Sequence, residues 1–85
     1  MNPTKSASLE VRKVGDEVLV HDPAQAKVHV LNATAGAILE LCDGTRTPSE
    51  IARSIADATG ADVALVTSDL ETILAEFSGL HLLVT

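Results

Sequence analysis

The chain has 85 residues, 46% of them hydrophobic but with Phe77 as the lone aromatic, and a formal net charge of −6. That length is one small domain burying roughly 60–65% of its unfolded surface, which leaves little room for a large active-site cavity. The acidic balance argues against nucleic acid or an anionic membrane as the partner, since both attract basic surface.

Residues 1–8 are polar and of mixed charge, and are expected to form a flexible tail ahead of a domain over residues 9–85. Alternation from Leu9 to Val14 predicts a first strand, turned at Gly15-Asp16. Glu17 to Asp22 predicts a second, with Val18 and Val20 on one face. After the loop Pro23-Ala24-Gln25-Ala26, Lys27 to Leu31 reads as a third strand. Val28 and Val30 fall on one side of it, and His29 and Leu31 on the other. A meander in sequence order leaves this third strand at an open edge.

Asn32 offers a side-chain oxygen to the first amides of a helix carrying Ala35, Ile38, Leu39 and Cys42 at helical spacing, with Gly44 expected to close it. Thr47-Pro48-Ser49-Glu50 is a capping box with proline at the first helical position, followed by Ile51, Ile55 and Ala58 and ended by Gly60. Both Asp62 and Ser68 fit as the cap of a third helix, and Asp62 is favoured. Val66, Leu70, Ile73, Leu74 and Phe77 form its wide apolar stripe, Gly79 closes it, and Leu80 to Val84 should fold back as a short strand or packed tail. The fold class is therefore α+β: a three-stranded antiparallel N-terminal sheet followed by three helices, in a winged helix-turn-helix-like arrangement.

That arrangement suggests DNA, but the charge distribution opposes it. No Lys or Arg follows Arg53, whereas Asp57, Asp62, Asp69, Glu71 and Glu76 all do. An acidic C-terminal half favours basic or neutral partners. Cys42 lies on an apolar stripe and reads as an inert buried thiol. His21, His29 and His81 lie on separate elements without metal-ligand spacing. With one cysteine, no apolar export segment and no membrane-length run, the expected location is the cytoplasm.

The pair Leu31-Asn32, the apolar run Ala35 to Leu41, the turn Cys42-Asp43-Gly44, then Arg46-Thr47 and Glu50-Ile51 follow one another in the order of a known family pattern. Asp69-Leu70, Ile73-Leu74 and Gly79-Leu80 continue it. Over roughly Val18 to Leu83 the chain resembles the PqqD-like family, small peptide chaperones that serve as recognition elements for ribosomally synthesised and post-translationally modified peptides.

The resemblance implies a domain without catalysis or cofactor of its own. It would bind the leader segment of a precursor peptide between the third strand and the third helix, and present it to a modifying enzyme, often a radical SAM enzyme. On that reading Lys27, Val28, His29, Val30 and Leu31 pair with the peptide, and Val66, Leu70 and Ile73 supply pockets, His29 being expected as an exposed residue beside the peptide. Asp22-Pro23 stands where the quinone-cofactor members carry a Pro-Glu step, and Ser78 where a basic residue often precedes the closing glycine, which leaves the pathway open. A monomer or weak dimer is expected, because an open edge can also self-pair. The alternatives are a winged-helix nucleic-acid-binding regulator, which would need Arg12, Lys13, Lys27 and Arg46 as a strand-side patch, and an enzyme, for which no nucleophile–base pair or metal cluster is readable.

Overall fold

The computed structural model describes residues 2–84. Strands β1 (Glu10–Val14), β2 (Glu17–Asp22) and β3 (Lys27–Asn32) precede helices α1 (Ala33–Leu41), α2 (Pro48–Thr59) and α3 (Val63–Gly79). The sheet is antiparallel in the order β1-β2-β3, as the meander predicts. Gly15 takes a left-handed φ of 60° in the first turn, a conformation that costs glycine little.

Register decides which side chains face the helices. Val18 opposes Leu31 and Val20 opposes His29, so the buried pair on β2 draws His29 and Leu31 inward and turns Val28 and Val30 outward. All of β1 is exposed, whereas β2 contributes Val18 and Val20 to the core.

Asn32 ends β3 and caps α1 at once. Its Oδ1 accepts from the Ala35 amide at 2.8 Å, so strand passes to helix with no intervening loop. The Thr47–Glu50 capping box closes with both reciprocal bonds, at 2.8 and 3.2 Å, and holds the Glu50 carboxyl below its ordinary pKa through the bonds from Thr47. Asp62 caps α3 by accepting from the Ala64 amide. The core gathers Val18 and Val20, Ile38, Leu39 and Cys42, Ile51, Ala52, Ile55 and Ala56, then Val66, Leu70, Phe77 and Leu82.

Three expectations need correction. Residues 2–6 are not a free tail. Pro3 is buried, and Thr4 and Lys5 form antiparallel bridges to Asp43 and Leu83. The Lys5 amide donates to the Cys42 carbonyl at 2.7 Å and the Val84 amide to the Thr4 carbonyl at 2.8 Å, so the segment straps the α1–α2 turn to the chain's end. A polar composition does not prevent docking when the neighbouring backbone has groups to satisfy. Gly79 does not supply the left-handed residue after α3; His81 does, at φ 60°. Gly44 is left-handed at φ 85°, but it sits in the Asp43 turn rather than at the end of α1, where Cys42 caps.

Candidate functional site

Because β3 pairs with β2 alone, the backbone along its other side has no strand partner among the described residues. Such an edge carries alternating free amides and carbonyls, a template for one more strand. α1 packs against β2 and β3, and α3 against α2, but α3 is not closely packed on β3.

The turn leading into β3 does reach the end of α3. The Gln25 side-chain Nε2 in the β2–β3 turn donates to the buried Asp22 carboxylate at 2.7 Å and, more weakly, to the Leu80 carbonyl at 3.4 Å, just past α3. The turn before Lys27 is thereby held to the end of α3. Nothing in the local pattern Asp-Pro-Ala-Gln distinguishes this latch from an ordinary turn, because Leu80 lies 55 residues away in sequence.

The residues expected at the site divide into three groups. Lys27, His29 and Leu31 lie on the helix-facing side of β3, with His29 and Leu31 half-buried. Val28 and Val30 lie on the outer face, 62% and 57% exposed, beside Leu19 and His21 of β2. On α3, Ile73 is half-buried, whereas Val66 is buried and Leu70 retains only 1% of its surface. Leu70 has Val66, Ile73, Leu74 and Phe77 at i−4, i+3, i+4 and i+7, so it sits at the middle of the stripe, where a helix is deepest in the core. In the free chain it belongs to the core. Leu74, a member of the same stripe though not among the expected site residues, is half-buried like Ile73.

His29 departs from the expected exposed strand residue. Its Nε2 is fully buried and has no hydrogen-bond partner. An orphaned buried polar atom costs about 1–3 kcal/mol, which the free protein bears at this position. The signal was present in the alternation of the strand, but only the register with Val20 shows which way the ring turns.

The remaining chemistry is sparse. Cys42 is fully buried, and burial pushes its thiol up from 9.0 to about 11, which suppresses the thiolate at neutral pH. The described residues contain no group of three or more His, Cys, Asp or Glu placed to hold a metal ion, and no helix long and apolar enough to cross a membrane. A shallow outer hollow of about 350 Å³ beside Leu19 and Val28 contains the exposed pair His21–Glu10 at 3.4 Å, with no nucleophile near it.

Comparison with known proteins bears on this geometry. The sequence model of the family described as coenzyme PQQ synthesis protein D (PqqD) matches residues 17–83. Among solved structures, the chain is similar to the PqqD truncation of Methylobacterium extorquens PqqCD. That solution NMR structure represents a functional, stand-alone recognition element for ribosomally synthesised and post-translationally modified peptides. The two share 25% identity with a TM-score of 0.82, over 98% of this chain and 88% of that one. The fold is shared with TbiB1 in complex with the TbiA(beta) leader peptide, at 23% identity and a TM-score of 0.83, covering 95% and 94% of the two chains. It is shared also with a lasso peptide synthetase B1 complexed with the leader peptide, at 12% identity and a TM-score of 0.84 over the whole of both chains. No curated protein sequence matches.

Proposed function

The chain belongs to the PqqD family, and from that premise we propose that it is a non-catalytic recognition module that takes the leader segment of a precursor peptide as a fourth strand on β3. The observation that carries this reading is the edge of β3 left without a strand partner among the described residues, with no close packing of α3 upon it. Main-chain bonds from an added strand supply affinity without regard to sequence, and side chains that alternate inward read the groove. In that arrangement inward-facing leader residues meet His29, Leu31 and Ile73, and outward-facing ones extend the Val28–Val30 face. Two of the similar structures are complexes with leader peptides, which favours the same use of the fold here.

The bound leader would be presented to a modifying enzyme in the cytoplasm, a radical SAM enzyme being the class that the family resemblance favours. The nucleic-acid alternative meets a helix α3 that carries Asp69, Glu71 and Glu76 and no basic residue, the wrong charge for phosphate. The test is a titration of isotope-labelled protein with the leader peptide encoded beside it. Amide resonances of Lys27–Asn32 and of α3 should shift together and those of α2 should not. Shifts confined to the outer sheet face or to β1 would reject strand addition on β3.

A further inference from the structure

The sheet overhangs the first helix on the side away from β3. Val11 and Lys13 of β1 oppose Val20 and Val18 of β2, so they lie on the helix-facing side of the sheet. α1, however, packs against β2 and β3, and β1 packs closely on β2 alone. Val11 in consequence keeps 45% of its surface exposed, while Val20 opposite it keeps none. Between β1 and α1 this leaves a hollow of about 400 Å³ with an apolar floor that includes Val11, Val18 and Ala37.

Three charged side chains stand around that floor. Lys5 comes from the N-terminal strap, half-buried and anchored by its amide bond to the Cys42 carbonyl, Lys13 from β1 and Glu40 from α1. The ion pairs found among the described residues, His21–Glu10 and Arg46–Asp43, involve none of the three. Two ammonium groups against one carboxylate make the hollow locally positive on a chain of net charge −6, and no residue of the acidic C-terminal half lines it. Exposed charges more than about 8 Å away are largely screened at physiological salt, so the local balance governs what docks here.

We infer that this hollow is a docking site for an acidic segment of a partner protein, which sets an apolar side chain over Val11 and Ala37 and an Asp or Glu against Lys5 and Lys13. Covering Val11 removes exposed apolar surface from water and supplies affinity, while the two lysines steer the approach and select the sign of charge. A basic segment meets like charges at the same rim. Docking here is independent of strand addition, because β2 separates β1 from the β3 edge and both sites can be filled at once.

The probes are the capped pentapeptide acetyl-Gly-Glu-Leu-Glu-Gly-amide and its counterparts with Gln or Lys in place of both Glu residues, each titrated into the isotope-labelled full chain. The Glu peptide should shift the amides of Lys5, Val11, Lys13 and Ala37 together and saturably, and should bind about twofold to tenfold more tightly than the Gln peptide. The Lys peptide should bind more weakly than either. In the Lys5→Gln, Lys13→Gln double variant the Glu peptide should fall to the level of the Gln peptide and lose its salt dependence. Ala33→Leu, at an exposed lining position, fills the hollow without changing charge and should weaken the Glu and Gln peptides alike. The amide spectrum of each variant checks that it is folded. Equal binding of the Glu and Lys peptides, undiminished binding by the double variant or by Ala33→Leu, shifts confined to β3 or another surface, or no saturable shift at all would each overturn the inference, and none of them bears on leader capture by β3.

Discussion

Gly36 of α1 and Val18 of β2 meet so closely that a methyl group placed on Gly36 would lie 2.8 Å from the Val18 Cβ, inside any allowed contact. This is where the first helix is seated on the sheet. Alanine ordinarily stabilises a helix interior by up to about 1 kcal/mol over glycine, but overpacking of this kind costs about 1–3 kcal/mol. Gly36→Ala is therefore expected to destabilise, seen as a lower urea midpoint with unchanged slope. Gly79→Ala, in α3 with open space around the new methyl, is expected to be neutral or stabilising.

His29 carries a conflict between stability and binding. Replacing the ring by leucine removes the orphaned Nε2 from the interior and keeps an apolar side chain beside Val20, so His29→Leu should stabilise the free protein by about 1 kcal/mol. The same change removes the polar atom on the helix-facing side of the open edge. Leader affinity measured calorimetrically should fall while the melting temperature rises. A variant that gained stability and lost no affinity would show that the ring nitrogen has no part in recognition.

The strands, the helix order and three helix starts were legible because each is encoded locally. Asn32, the Thr47–Glu50 box and Asp62 act on amides two or three residues away, and β2 announces its inward face through Val18 and Val20. The surroundings of the candidate site residues were less legible because they depend on partners distant in sequence. The depth of Leu70 depends on what lies across the core, and the direction of His29 depends on its register with Val20. The docking of residues 2–6 could not be read from a polar octapeptide, since its partners are backbone groups of residues 42–44 and 82–84.

Asp43 predicts the acid limb of the stability curve. Bonds from the Thr45 hydroxyl and amide, at 2.6 and 3.0 Å, with a contact from Arg46 at 2.9 Å, hold its carboxyl at about 2 against an ordinary 3.8. A folded-state pKa below the unfolded one means the folded state resists protonation. The stabilisation is thus complete above the unfolded value and disappears as pH falls through the folded one. Urea midpoints should decline between about pH 4 and about pH 2, and Asp43→Asn should flatten that decline. Raising the salt concentration should change it little, because the largest contributions are the Thr45 hydrogen bonds rather than the exposed Arg46 pair.

The strap at the N-terminus makes the last prediction, and Gly44 makes it testable at two points. The Gly44 amide donates to the Pro3 carbonyl at 3.1 Å, the Ser6 amide to the Leu82 carbonyl at 2.9 Å, and a methyl group on Gly44 would come within 2.9 Å of the Thr4 hydroxyl oxygen. Each bond contributes about 0.5–1.5 kcal/mol, and ordering the segment consumes much of the sum. Removal of residues 1–6 should therefore cost only about 1–2 kcal/mol, or roughly 5–15 °C in a domain of this size. Gly44→Ala adds strain from its φ of 85° to the clash with Thr4. The clash is absent once the strap is removed, so the two changes should be less than additive in a double-mutant cycle. Full additivity would mean that strap and turn do not communicate. Leader affinity should survive in both variants, because the strap bonds residues 42–44 and 82–84 and none of β3.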